Sequence, residues 1–191
     1  MKKTLREIAD LHSGIYAKPD PSGDVFYVQV RHFDQSGIFN QSLKPDLKLE
    51  SKSERHLLKS GDVLLAVKGS NNMSVLYQNH MRKAVASSVF MVIRIRDIRI
   101  VLPEYLSWFL NHPQTQAWCK SEARGSSLLS LTQESLENLE LSILPIAKQI
   151  KILETTALMK KEKALQQHIH SLRENRNQHL LLQAINSASQ I

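Results

Sequence analysis

The sequence predicts an α+β protein, in which a small mixed α/β domain over residues 1–144 is followed by one long C-terminal α-helix of the coiled-coil type over residues 145–191. Two observations predict this division. Up to Leu144, short segments rich in β-branched and aromatic residues alternate with turns. From Ile146 to about Ile185 the chain has neither glycine nor proline. Alanine, leucine, lysine, glutamine and glutamate dominate there, which favours a single helix.

The composition limits the class of protein. The chain has 191 residues, of which 42% are hydrophobic and 23% charged, so we expect one domain with a packed core plus an extension. The longest uncharged apolar stretch, residues 84–93, is about half as long as the roughly 20 residues of a transmembrane helix. The N-terminus shows no signal-peptide pattern, and the single cysteine, Cys119, excludes an internal disulfide. We therefore expect a protein of the reducing cytoplasm without membrane contact.

Three segments of the first domain are strand candidates. Residues 24–31 and 62–67 each follow a glycine and are rich in β-branched and aromatic residues, which is typical of strands. Residues 85–95 alternate in a way that predicts one continuous strand, buried on both faces at its beginning and solvated on one face at its end.

Helix start and stop signals follow these strands. Pro103 suits the first turn of a helix that ends near residues 111–113, and a second short helix is predicted over residues 114–122. Thr132 is a predicted N-cap for a third helix, with Glu134 in its first turn.

The predicted C-terminal helix has an apolar stripe that a small domain cannot cover. About 40 helical residues span about 60 Å. The stripe consists of Leu158, Leu165, Ile169 and Leu172. Glu162 and Arg176 occupy the remaining heptad positions, so the repeat is imperfect. Because the sequence predicts no second long helix, we expect the partner to be another chain.

Catalytic signatures are weak. Asp46, Glu50 and Lys52 resemble the carboxylate-carboxylate-lysine set of metal-dependent nucleases, but three intervening residues cannot form the hairpin that such a site needs. His168 and His170 are two residues apart on a predicted helix and point in different directions, so they cannot hold one ion. The sequence therefore predicts no catalytic residue, no metal site and no cofactor.

Two polar loops are candidate contact sites for a polyanion, which the net charge of +7 and pI near 9.6 favour as partner. The first contains Lys68, Gly69, Ser70, Asn71 and Asn72. The second contains Arg124, Ser126 and Ser127. Glycine and small hydrogen-bonding side chains suit close approach to a phosphate or a base edge. The alternatives are an ordinary asparagine-rich turn for the first loop and, for the second, a helix C-cap with Gly125 in the left-handed conformation.

The order of these pieces resembles the specificity subunit of type I restriction-modification systems. The segments that carry the resemblance are residues 5–9, 27–31, 58–65, 68–70, 84–96, 102–106, 124–127, 136–139 and 144–152. Their order and spacing are more specific than any single segment. The resemblance covers about residues 5–155 and corresponds to half of a two-repeat subunit.

The resemblance implies a DNA-recognition (target-recognition) domain whose two loops contact double-stranded DNA, without catalysis of its own. It also implies partner methyltransferase and restriction subunits, and a homodimer formed through the C-terminal helix. Asn and Arg suit adenine and guanine edges, while Lys and Ser suit phosphates. Arg31 and His32, at the end of an early strand, are further candidates for DNA contact.

Two other functions stay open at the level of sequence. The fold could serve an oligomerising adaptor that binds protein, or an orphan recognition fragment without restriction partners, with its basicity incidental. An independent nuclease would require metal-dependent cleavage by the pure chain, which the absence of a convergent carboxylate set disfavours.

Overall fold

The computed structural model describes residues 1–34, 37, 39, 44–48, 51–69, 71–78, 82–125 and 129–188. Within these, the side chains of residues 51–53, 184 and 186–188 are not described. The chain forms two compact units, Met1–Gln149 and Ile150–Ile191. The sequence places the boundary after Leu144, and the first unit continues into the first turn of the long helix because the Gln149 side chain is buried within that unit.

The elements follow in chain order. The strands are β1 (Lys2–Thr4), β2 (Ala9–Ser13), β3 (Phe26–Val28), β4 (Val63–Ala66), β5 (Ser74–Leu76), β6 (Ala84–Ala86), β7 (Phe90–Ile95) and β8 (Glu140–Ser142). The α-helices are α1 (Leu5–Ile8), α2 (Pro103–Asn111), α3 (Pro113–Glu122), α4 (Gln133–Glu137) and α5 (Ile146–Ala188). Two 3-10 helices span Val30–His32 and Ser51–His56. The predicted α+β class with a long C-terminal helix is confirmed.

A four-stranded antiparallel sheet of order β2-β7-β4-β5 forms the centre of the first unit. In its register Leu64 of β4 pairs with Val92 of β7, and Leu11 of β2 pairs with Ile93. All four residues of β4 are buried, as expected for an apolar strand at the centre of a sheet. The strands β1 and β8 form a separate antiparallel pair that joins the beginning of the chain to the segment before α5.

The predicted continuous strand over residues 85–95 is wrong, because it consists of two strands. β6 pairs in parallel with β3, whereas β7 joins the central sheet. Between them the Phe90 amide donates to the Ser87 carbonyl over 2.9 Å, which closes a turn. The strand predicted over residues 24–31 is also shorter, since a 3-10 helix begins at Val30.

The helix signals in the sequence were more accurate. Pro103 occupies the first turn of α2, and Thr132 caps α4, where its side chain accepts from the Ser135 amide over 3.1 Å. The alternative of a left-handed C-cap at Gly125 is wrong. Helix α3 ends at an extended Ala123, and Gly125 has a φ of +130° two residues later.

The long helix α5 has 43 residues, or about 65 Å at 1.5 Å per residue, as predicted. In its first turn the fully buried Gln149 side chain donates to the carbonyls of Ile100 and Leu144. It also accepts from the Leu102 amide. These three bonds attach the start of the helix to the first unit. Within the described residues, no helix has both the length and the apolar character needed to cross a membrane.

A buried ion pair joins the two central strands. Asp62, immediately before β4, is 1% exposed and makes two 2.7 Å bonds to Arg94 of β7. The same carboxylate accepts from the Lys59 amide over 2.8 Å. The hydrogen bonds to Asp62 raise the pKa of Arg94, so the guanidinium stays charged at all accessible pH values.

We predict that Asp62→Ala destabilises the first unit by about 3 kcal/mol, because Arg94 would keep a partly buried charge without its partner. The exposed pair Lys2–Glu140 offers the matched control, and Glu140→Ala should lower the free energy of unfolding by less than about 1 kcal/mol. Urea denaturation followed by circular dichroism measures both variants. Equal losses would contradict a structural role for the buried pair.

Candidate nucleic-acid interface

The interface is organised by a close crossing of two chain segments. The Gly14 amide donates to the Phe90 carbonyl and the Ile15 amide to the Ala86 carbonyl, each over 2.9 Å. A Cβ atom at Gly14 would overlap the carbonyl oxygens of Ser87 and Ala86. Only glycine therefore permits this approach without a backbone shift.

A second set of bonds fixes the residues that follow the crossing. The buried Tyr27 hydroxyl donates to the Ile15 carbonyl over 2.9 Å and accepts from the Ala17 amide over 3.2 Å. The backbone is thus held on both sides of Tyr16, whose side chain is 79% exposed. The backbone at Tyr16 is therefore attached to β3, which carries Tyr27.

A cleft opens at the edge where β3 and β6 end. Because the two strands are parallel, with Val28 opposite Ala86, the residues that follow both strands emerge side by side. This cleft, which we call the main cleft, has a volume of about 590 Å³. The residues that line it are Tyr16, Tyr27, Gln29, Val30, Arg31, Lys68, Asn71, Ser87, Ser88 and Val89.

The main cleft brings together three of the predicted contact residues. Lys68 and Asn71 belong to the first predicted loop, and Arg31 lies 37 residues earlier in the chain. All three are exposed. His32, beside Arg31, is half-buried, and burial together with the Arg31 charge lowers the pKa of its imidazole. It is therefore neutral near pH 7 and accepts from the Gln29 amide through Nδ1.

The two predicted loops are neighbours in space. The Gly69 amide donates to the Leu129 carbonyl over 2.9 Å, and Lys68 forms a β-bridge with Ser130. Arg124 pairs with the same Ser130 through two backbone hydrogen bonds. Gly69 has a φ of +100°, which its position in this turn requires. Ser70, Ser126 and Ser127 lie outside the described residues.

The structure corrects the prediction for Asn72. Its side chain is 3% exposed and donates to the Ala66 carbonyl over 2.9 Å, while Gln116 donates to the Asn72 carbonyl over 2.8 Å. Asn72 therefore holds the loop against β4 and α3 and cannot present its amide to DNA. Its neighbour Asn71 faces the main cleft instead.

Sequence reasoning missed Tyr16, Gln29, Ser87 and Ser88. These residues come from three separate places in the sequence, and Ser87 and Ser88 lie in the interior of the strand predicted over residues 85–95. Gly14, two residues before Tyr16, is the local signal there, and such a spacing is too common to identify a site.

A smaller cavity of about 350 Å³, the side cleft, is also lined by Tyr16. Its charged lining residues are Lys18, Asp20 and Lys48. Hydrogen bonds from the Ser22 amide and hydroxyl lower the pKa of Asp20, so this carboxylate is ionised at neutral pH. The side cleft thus has two lysines and one carboxylate.

Metal or nucleophilic chemistry at this interface would need suitable groups among the described residues. In the described part of the chain, no group of three or more histidine, cysteine or acidic side chains could hold a metal ion. Cys119 is buried at the centre of α3, and burial raises the pKa of its thiol to about 11. It is therefore protonated at neutral pH and lacks the thiolate that nucleophilic attack requires.

The comparison with protein families decides the identity of the fold. The family model described as the type I restriction modification DNA specificity domain matches residues 1–171. The chain belongs to this family. The match confirms the resemblance deduced from the order of segments, and with it the prediction of a DNA-recognition component. No curated protein sequence matches this chain significantly.

Solved structures of specificity subunits share the fold. The S subunit of a type I restriction-modification system from M. genitalium has a TM-score of 0.60 over 84% of this chain. The HsdS subunit from Thermoanaerobacter tengcongensis has a TM-score of 0.60 over 86%. A chain from a structure described as the structural basis of complex assembly and conformational transition of the type I R-M system has a TM-score of 0.67 over 94% of this chain. All three are 16% identical to this chain, so the likeness concerns the fold alone.

The specificity domain is shorter than these structures. It covers 39%, 38% and 43% of their chains, respectively. The chain therefore spans about two-fifths of the length of the solved structures it matches.

We predict that Asn72→Ala lowers the free energy of unfolding by about 1–3 kcal/mol, since the Ala66 carbonyl would lose its buried donor. Asn71→Ala provides the matched control, because the same truncation at an exposed neighbour should change stability by less than about 0.5 kcal/mol. Thermal and urea denaturation measure the difference. If both variants were equally stable, the assignment of Asn72 to the loop's internal structure would be wrong.

Proposed function

We propose that this chain is the sequence-specific DNA-recognition subunit of a type I restriction-modification system, and that it directs methyltransferase and nuclease subunits to a bipartite target. The family match over residues 1–171 carries the proposal. The convergence of Lys68, Asn71 and Arg31 on the main cleft supports it. Any methyl transfer or cleavage belongs to the partner subunits, and the complex acts in the cytoplasm.

The described contact residues divide into two roles by their chemistry. Lys68 is a flexible point charge that suits phosphate, and Arg31 suits phosphate or the two acceptors of guanine. Asn71 can donate to and accept from adenine in the major groove. Arg124, beside Lys68 through Ser130, extends the basic surface. Phosphate contacts would set the register, and Asn71 would discriminate bases.

A homodimer through α5 restores the two recognition domains that a bipartite target requires. The stripe residues Leu158, Leu165, Ile169 and Leu172 are between 47% and 67% exposed. Such a row of apolar side chains favours a partner helix. In an antiparallel pair with its axis near residue 167, Leu165 of one helix faces Ile169 of the other. Glu162 and Arg176, whose long side chains reach solvent at the edge, flank this contact.

The two-fold symmetry of this dimer defines the type of target. Identical domains related by a two-fold axis must bind inverted copies of one half-site. We therefore propose an interrupted palindrome as the target sequence, in contrast to the asymmetric site that two different domains can recognise.

DNA affinity should decrease steeply with salt because lysine and arginine contacts release counterions. Lys68→Ala should weaken binding to all duplexes and reduce the slope of log affinity against log salt by about 1. Asn71→Ala should instead reduce the discrimination between selected and random duplexes by about 1–3 kcal/mol. Duplexes selected from a random pool by the wild-type protein, measured by fluorescence anisotropy, provide the test.

Lys59→Ala is the matched control for the charge, because Lys59 is exposed and lines neither cleft. It should leave both affinity and discrimination within twofold of wild type. Equal losses on selected and random duplexes for Asn71→Ala would contradict its role in base discrimination. A wild-type protein that bound no DNA at moderate salt would favour the protein-binding adaptor.

Ile169→Glu should dissociate the dimer, because it places a carboxylate in the centre of the helix contact of both copies. The dissociation constant should rise on the order of 100-fold. Gln167→Glu adds the same charge on the opposite helix face and should leave dimerisation unchanged. Sedimentation equilibrium at tens of micromolar distinguishes these outcomes, and a monomeric wild-type protein at that concentration would overturn the homodimer.

A further inference from the structure

The concave shape of the main cleft restricts which part of DNA can enter it. A duplex is a convex cylinder about 20 Å wide, whereas the cleft has a volume of about 590 Å³, which is in the range of small-molecule sites. Such a space accommodates a backbone phosphate or a single displaced nucleotide, while the exposed Asn71 side chain can contact a base edge of the paired duplex. The lining decides between the phosphate and the nucleotide.

The lining contains more apolar and aromatic surface than a phosphate needs. Tyr16, Val30 and Val89 present ring and methyl groups beside the charges of Arg31 and Lys68. Tyr16 is 79% exposed although its backbone is held on both sides by the Tyr27 hydroxyl. An exposed aromatic ring on a held backbone next to two cations is the combination that binds unstacked nucleotides in single-strand binding proteins.

A second observation points independently to a ligand in the main cleft. Ser87 lines the cleft and is 4% exposed, and its hydroxyl oxygen has no hydrogen-bond partner among the described residues. Buried hydroxyls of this kind are normally paired. A base that entered the cleft could pair with this hydroxyl through a ring nitrogen or an exocyclic group.

Tyr16 lines both clefts, and each cleft has cationic side chains. The main cleft contributes Arg31 and Lys68, and the side cleft contributes Lys18 and Lys48, partly offset by Asp20. A DNA strand that placed one nucleotide at Tyr16 would bring the phosphates before and after it close to this residue. The basic side chains of the two clefts provide contacts for these phosphates.

We infer that the main cleft holds one nucleotide displaced from the base stack of the bound DNA, with its base against the Tyr16 ring and its edge toward Ser87. The inference rests on the proposed DNA-recognition function and adds to it a site for a single unstacked nucleotide. Displacement from a duplex costs free energy, least at an unpaired position. A duplex with one unpaired nucleotide should therefore bind more tightly than its fully paired counterpart.

The test measures binding of the full chain to two labelled duplexes by fluorescence anisotropy. The duplexes share one strand; the first duplex is fully paired, and in the second a single thymidine of that strand has no partner. The wild-type protein should bind the second duplex about tenfold more tightly. Tyr16→Ala should abolish this preference, so that the ratio of the two affinities falls to about one. Tyr16→Phe, which keeps the ring, should preserve the ratio. Ser87→Ala should reduce it.

Ile98→Ala is the matched control, because Ile98 is an exposed apolar residue that lines neither cleft. Equal wild-type affinity for both duplexes would overturn this inference and leave the proposed function intact. Absence of binding to either duplex would overturn both. If the Tyr16→Ala variant still preferred the duplex with the unpaired thymidine, the assignment of the nucleotide site to the main cleft would be wrong. Tyr16-dependent binding of free thymidine monophosphate, without preference for the unpaired duplex, would overturn the assignment to DNA.

Discussion

The crossing of Gly14 over the end of β6 is the contact on which the Tyr16 and Ser87 walls of the main cleft depend. Two backbone hydrogen bonds hold this crossing. Residue 14 is so close to the carbonyls of Ala86 and Ser87 that no side chain would fit there. Tyr16 is held two residues later because the Tyr27 hydroxyl bonds to both neighbouring residues. Ser87, whose carbonyl lies under Gly14, is also a wall of the main cleft. One close approach therefore positions both sides of the site.

Local signals in the sequence predicted the helices well and the strand boundaries poorly. Pro103, Thr132 and the absence of helix breakers after Ile146 act within one or two helical turns, so they are visible in a single sequence. The division of residues 85–95 into two strands depends on pairing with β3 and with β4, which lie far away in the chain. Because both strands are buried, apolar patterning alone could not show where one ends.

The dependence on long-range packing also explains why the sequence identified only part of the site. Lys68 and Asn71 were identified because they directly follow a buried strand, where side chains emerge at a sheet edge. Asn72 has the same chemistry as Asn71, but its amide completes the bonding of the Ala66 carbonyl. Composition cannot separate two adjacent asparagines, one exposed and one buried, because their difference arises from the packing of α3 and its Gln116.

The exposed apolar residues of helix α5 indicate more than one kind of contact. Gln149 attaches its first turn to the recognition domain, and the stripe around Ile169 suits one partner helix. Near the other end, Leu180, Leu181 and Leu182 are all more than half exposed. Successive residues of an α-helix are about 100° apart, so these three leucines point to three sides and a single partner helix would cover only one. In the proposed complex this end of α5 needs apolar contacts on more than one face, and the methyltransferase and nuclease subunits are the proposed partners that could provide them.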